Sequence, residues 1–124
     1  NLHTFAVCAR EVGVALRQRG AGSIVCVSSA AANGAAAGQA AYGAAKAAVS
    51  SLSRSLAAEL KDAGVPVNAV LPGTLDTPEN RAWMDEETAA RAVPLEDVAE
   101  VIAFLLSDAS RSVTGAEIPV RGRQ

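Results

Sequence analysis

The sequence predicts an α/β fold: a parallel sheet of about three strands with three main helices, in a single domain over residues 1–124. Three observations carry this. The short apolar runs Ser23–Val27 and Val65–Leu71 have the composition of strands buried on both faces of a sheet. Around them lie longer stretches whose apolar residues recur at helical spacing. Strand, helix, strand, helix, strand is the order that right-handed parallel crossovers produce.

The elements follow in order. Leu2, Phe5, Ala6, Ala9, Val12 and Leu16 mark an amphipathic helix, closing at Arg17, Arg19 and Gly20, which suit a helix C-terminus. Ser23–Val27 is the first strand, and residues 29–39 form a loop of small residues. A long helix runs from about Gln39 to Lys61, with Ala45, Val49, Leu52, Leu56 and Leu60 on one stripe and Gly64 near its end. Val65–Leu71 is the second strand, with Pro66 better suited to its start than its middle. The polar connection from Pro72 to Pro94 has the length of a lid or binding loop, so a lid is expected near 73–93, with one short helix around Arg81–Arg91. Pro94 opens a helix whose apolar face is Val98, Val101, Ile102, Leu105 and Leu106. Ala116–Val120 is a last short strand, and Arg121–Gln124 reads as a disordered tail. Three strands leave an open sheet with an unpaired edge, an aggregation risk.

Composition excludes several classes. A net charge of −2 gives no reason to expect nucleic acid or an anionic membrane as partner. No uncharged apolar stretch reaches 18 residues, so no membrane span is expected, and no leader pattern is visible. Cys8 and Cys26 sit in apolar runs and read as reduced core thiols of a cytoplasmic protein. With one histidine, His3, and no close cysteine pair, no metal site is expected. A serine hydrolase would need a base beside its nucleophile. His3 is expected on a solvated helix face, and no G-x-S-x-G elbow occurs.

Tyr42 and Lys46 carry the chemistry. Tyr42 is the single tyrosine, and Lys46 is one of two lysines. The alanines around them favour a helix, where positions four apart share a face. An ammonium beside a phenol favours its ionised form, which lets the phenol trade a proton with a substrate oxygen near neutral pH. A surface tyrosine stacked on a lysine stem is the plain alternative. Thirteen residues before Tyr42, Ser29 falls just past the end of the first strand, where open α/β sheets bind ligands. Its hydroxyl can reach the same substrate oxygen, or can simply cap a turn.

In this order the chain resembles the short-chain dehydrogenase/reductase family. Ser29, then Tyr42-Gly43-Ala44-Ala45-Lys46, looks like that family's Ser and Tyr-x-x-x-Lys. Val67-Asn68-Ala69-Val70-Leu71-Pro72-Gly73 is similar to its Val-Asn-x-x-x-Pro-Gly strand and turn, with Thr77 at the place of a following threonine. Asn1 stands where the family has a helix asparagine, and Val113-Thr114-Gly115 resembles its last turn. Only 82 residues follow Tyr42, which favours the compact, single-domain branch over the sugar-nucleotide epimerases.

The resemblance implies the C-terminal half of a Rossmann-like, doubly wound parallel sheet. It implies hydride transfer between NAD or NADP and a carbonyl or secondary alcohol. Tyr42 would be the acid/base, with Lys46 tuning it and holding the nicotinamide ribose. Ser29 would orient the substrate oxygen, and Asn1 would position a relay water. Pro72, Gly73 and Leu75 would flank the nicotinamide, with Thr77 bonding its carboxamide. A homo-oligomer packed through the helices near 2–19 and 39–61 is also implied. Ala30, Ala31, Ala36, Trp83 and Met84 would line an apolar pocket.

No Gly-rich phosphate turn, G-x-x-x-G-x-G or G-x-G-x-x-G, occurs in these 124 residues. The chain therefore reads as the C-terminal half of a longer enzyme, inactive as it stands, or as a natural half-domain. The alternative function is a non-catalytic, helix-mediated interaction module derived from the same fold.

Overall fold

The computed structural model describes residues 2–35 and 37–122. Asn1, Ala36 and the end of the expected tail, residues 123–124, lie outside the described residues. Helix α1 spans Leu2–Arg19, β1 Ile24–Val27, α2 Ala40–Leu60, β2 Val67–Pro72, α3 Pro78–Arg81, α4 Glu86–Arg91, α5 Leu95–Leu106 and β3 Glu117–Val120.

The sheet is parallel, as the repeated strand–helix pattern predicts, and its strands lie in the order β1-β2-β3. Ile24 stands opposite Val67 in the first pair, and Val70 opposite Ile118 in the second. All six residues of β2 are buried, because it is flanked on both edges and covered on both faces. Val67, Ala69 and Leu71 share one core with Cys26, Val49, Ala57 and Leu60, against which Phe5 and Leu16 of α1 pack. A second core gathers Val98, Val101 and Ile102 of α5 with Ile118 and Val120 of β3. Pro66 lies just before β2, where its missing N–H costs no ladder bond, and its carbonyl accepts from Ile24 N at 2.9 Å.

Several expectations change. The buried residues of α1 are Ala9 and Gly13, and Val12 is exposed. A Cβ on Gly13 would lie 3.6 Å from Leu56 and 3.8 Å from Leu60, so the small residue lets α1 approach α2 closely. Along α2 the buried residues are Val49, Ser50, Ser53, Ala57 and Leu60, while Leu52 and Leu56 are only partly covered. Small side chains again mark the closest packing. Leu106, the last residue of α5, is exposed. Cys8 is exposed, not a core thiol, because it precedes buried Ala9 and turns off the packed face. Cys26 is buried, and burial pushes its thiol up, partly offset by a hydrogen bond with Ser53.

Two helices, α3 and α4, replace the single short helix expected around Arg81–Arg91. Each has its own start signal: the Thr77 hydroxyl accepts from Asn80 N, and the Asp85 carboxylate accepts from Thr88 N. The segment is pinched at its base. Val93 N donates to Thr74 O, and Asp76 N donates to Val93 O, both at 2.8 Å.

Candidate active site

Three pieces of chain converge at the carboxyl ends of β1 and β2. Ser29 follows β1, the first turn of α2 carries Tyr42, and Pro72-Gly73 closes β2. Together they line a cleft of about 370 Å³ with Ala30, Ala31, Gln39, Thr74, Leu75, Asn80 and Trp83. Its walls are set by local chemistry. Ser29 is extended and caps a turn of 3-10 helix, accepting from Ala31 N at 3.2 Å. Gly43 lets α2 approach that turn, since a Cβ there would lie 3.1 Å from Ala31 O.

Tyr42 is half exposed, and its ring borders a second hollow of about 510 Å³ lined by Lys46, Thr4, Phe5, Cys8 and Val27. Lys46 Nζ lies 5.9 Å from the centre of the Tyr42 ring. The same ammonium donates to Val27 O at 3.1 Å. The phenol therefore stands between two hollows, with a cation on one side and the Ser29 cleft on the other. A larger hollow of about 660 Å³ lies among Ala32, Gly34, Ala35 and Ala47, but its lining carries no ionisable group.

Of the sequence-derived residues, Ser29, Tyr42, Pro72, Gly73 and Leu75 share the cleft, and Lys46 sits behind Tyr42. Thr77 is not in the lining; its hydroxyl is engaged as the cap of α3, which leaves its proton free to donate. Asn1 falls outside the described residues. Trp83 lines the cleft, while Met84 does not. Gln39, Thr74 and Asn80 are additions. Gln39 lies one helical turn before Tyr42, a spacing that could have disclosed it. Asn80 stands three residues after Thr77, the capping spacing. It also donates to Leu75 O at 2.9 Å, holding α3 over the cleft.

Asp76 and Arg81 form a bidentate ion pair on the segment above the cleft, with Arg81 Nη2 2.6 Å from Asp76 Oδ2. The Arg81 hydrogen bond holds the Asp76 carboxyl below its usual range, and desolvation opposes it. Among the described residues no cluster of three or more His, Cys, Asp or Glu could hold a metal ion. Among them no helix is long and apolar enough to cross a membrane.

A parallel sheet with helices on both faces and a cleft outside its strand carboxyl ends is the arrangement of the nucleotide-binding α/β folds. Residues 1–122 match the family described as Enoyl-(Acyl carrier protein) reductase. The cis-4-hydroxycyclohexanecarboxylate dehydrogenase of Sinomonas cyclohexanicum is 40% identical over 130 residues, covering 98% of this chain and 52% of that protein. A 3-oxoacyl-[acyl-carrier-protein] reductase of Salmonella typhimurium is 33% identical over 98% of this chain and 53% of its own length. The structure of a short-chain type dehydrogenase/reductase from Mycobacterium ulcerans superposes with a TM-score of 0.91 at 33% identity, over 97% of this chain and 47% of that one. A Beutenbergia cavernae structure with bound NADP at low occupancy superposes with a TM-score of 0.89 at 34% identity, over 98% of this chain and 53% of that one. The chain belongs to the short-chain dehydrogenase/reductase family, whose members here are oxidoreductases. It spans about half the length of the curated relatives it matches.

Proposed function

We propose that this chain forms the catalytic half of an NAD(P)-dependent oxidoreductase that interconverts a carbonyl and an alcohol. The observation that carries the reading is the single phenol, Tyr42, standing between the Lys46 ammonium and the cleft that holds Ser29.

The residues fit the nicotinamide end of such a cofactor. Lys46 presents an ammonium at the Tyr42 face, and the Pro72-Gly73-Thr74-Leu75 turn offers a flat, uncharged wall beside Ser29. Thr77 keeps a hydroxyl proton for a carboxamide oxygen. They do not fit the pyrophosphate end, since no Gly-rich turn at a helix N-terminus occurs in the 124 residues. Pro72 and Gly73 would flank the nicotinamide, which when bound would supply or accept the hydride.

In the reducing direction Tyr42 Oη gives its proton to the carbonyl oxygen as that oxygen gains charge. In the oxidising direction the phenolate takes the proton back from the alcohol. Ser29 Oγ–H points its remaining donor at the same oxygen and stabilises the charge that develops there. Lys46 holds its ammonium 5.9 Å from the centre of the Tyr42 ring and helps to orient the phenol. The uncharged lining suits a small neutral carbonyl or alcohol.

The proposal extends to assembly and compartment. Leu2, Ala6, Ala48 and Leu52 line an open groove between α1 and α2, suited to a second copy in a homo-oligomer. Two unpaired cysteines agree with a reducing, cytoplasmic setting.

The test is isotopic. The full-length protein is incubated with nicotinamide cofactor deuterated at C4 and a panel of small ketones. Deuterium on the carbinol carbon of the product is the expected result, and its absence with every ketone and both cofactors overturns the reading.

A further inference from the structure

The end of one strand grips Lys46 twice. The ammonium donates to Val27 O at 3.1 Å, and the backbone carbonyl of Lys46 accepts from Ser28 Oγ at 2.8 Å. Ser28 Oγ in turn accepts from Ser50 Oγ at 3.0 Å. Both serines are buried, at 3% and 2% exposure.

Secondary structure does not need these contacts. The Ser28 amide already continues the sheet ladder to Val70 O at 2.9 Å. The Lys46 carbonyl lies inside α2, where an intrahelical N–H from residue 50 serves it. Two hydroxyls between a strand and a helix cost desolvation that an apolar pair would not. What they add is direction: hydrogen bonds hold one register between strand end and helix, where apolar packing tolerates sliding. Ser29 is the next residue after Ser28, and Tyr42 sits one turn before Lys46. One linkage therefore sets the relation of all three site residues.

We infer that Ser28 and Ser50 are positioning residues, a hydroxyl clamp that holds Lys46, and with it the Tyr42 ring, against Ser29. The importance of the clamp for turnover rests on the function proposed above; its existence does not. In Ser28→Ala the Ser50 hydroxyl can turn back onto the Lys46 carbonyl four residues earlier, so no buried hydroxyl is stranded and the fold survives. The register between strand and helix loosens, and the ammonium spends less time on Val27.

Lysine acetylation reads this directly. Lys61, exposed just beyond the far end of α2, is the internal reference. The full-length protein is treated briefly with acetic anhydride, and the peptides bearing Lys46 and Lys61 are quantified by mass spectrometry. Ser28→Ala raises the Lys46:Lys61 ratio by about threefold or more, the scale of one net hydrogen bond. Ser50→Ala, which leaves the Ser28–Lys46 contact, raises it less, and Ser28→Thr restores it. General loosening would raise both lysines and leave the ratio alone. An unchanged ratio in either alanine variant removes that serine from the clamp, so Ser50→Ala decides if Ser28→Ala does not fold. In turnover, Ser28→Ala lowers kcat by roughly tenfold with KM little changed, as expected for a misplacement below about 1 Å. A raised ratio with normal kcat in Tyr42→Phe overturns the proposed function and leaves the clamp standing.

Discussion

Lys46 holds its ammonium 5.9 Å from the centre of the Tyr42 ring while donating to the carbonyl of Val27. The helix supplies the first relation, since the two residues are one turn apart, and the sheet supplies the second. An ammonium within about 6 Å of an aromatic centre is attracted to the ring face. The strand carbonyl keeps it from swinging into solvent, so charge and phenol stay together.

The proposed function makes Tyr42 the phenol on which proton transfer depends. Tyr42→Phe keeps the ring and its packing and removes the proton. Turnover of the full-length protein falls by at least about a hundredfold, the lower end of general acid–base contributions. Steady-state kinetics with both cofactors checks this, and near-normal turnover would remove Tyr42 from the mechanism.

Lys46→Met keeps the apolar stem and deletes the charge. The bond to Val27 is lost, and so is the cation at the ring. Turnover drops and cofactor affinity weakens together. Isothermal titration with NADPH and NADH measures the second effect; unchanged affinity would make Lys46 a helix-surface residue.

Asn68 is a structural prediction. It is fully buried, donates to Val113 O at 2.7 Å and accepts from Ala116 N at 3.0 Å. Asn68→Ala strands two backbone groups at the turn into β3, which costs about 2–3 kcal/mol. Urea denaturation of the full-length protein measures the change, and a loss under about 0.5 kcal/mol would mean that water replaces the side chain.

The segment over the cleft responds to acid. Arg81 lowers the Asp76 carboxyl, chiefly by its hydrogen bond, and the Thr88 side chain, followed by the Thr88 amide, lowers Asp85. A carboxyl depressed in the folded state binds fewer protons there than in the open chain, so both interactions stabilise above the ordinary carboxylate range. That contribution is lost as pH falls below about 4. Hydrogen exchange across residues 73–93, corrected for intrinsic rates, is expected to rise at pH 3 relative to pH 6. Asp76→Asn should reduce that step, and an equal step in both proteins would free the segment from this ion pair.

No Gly-rich phosphate turn occurs in the 124 residues, and holding reactants in register can supply a large share of a rate enhancement. Fluorescence titration of this chain with NADH and NADPH is expected to show no tight binding. Submillimolar affinity would reveal a phosphate site among these residues.

Much of the architecture was legible because it is periodic. The strands follow from short apolar runs, and the two long helices and the α5 face, Leu106 apart, from a spacing of 3.6 residues. The closest packing was not, because Gly13, Ser53 and Ala57 make contacts by being small, and hydropathy patterns weigh large side chains. Cys8 misled for a related reason: an apolar neighbourhood in sequence says nothing of which side of a helix a residue takes. The connection between β2 and α5 was visible as a long polar stretch. Its division into α3 and α4 depended on two caps, Thr77 and Asp85, each recognisable three residues before the amide it serves.

The sequence by itself determined what local geometry dictates: a phenol and an ammonium one helical turn apart, a serine after a buried strand, and a turn at Pro72-Gly73. Covalent spacing sets such relations once the secondary structure forms. Only the tertiary structure decided that Ser29, Tyr42 and Gly73 line one cleft, that Val93 pinches the connecting segment at Thr74 and Asp76, and that two buried serines tie Lys46 to the strand. Those contacts join residues distant in the chain. They arise from packing α2 on β1 and β2, and no spacing along the sequence encodes which atoms that packing brings together.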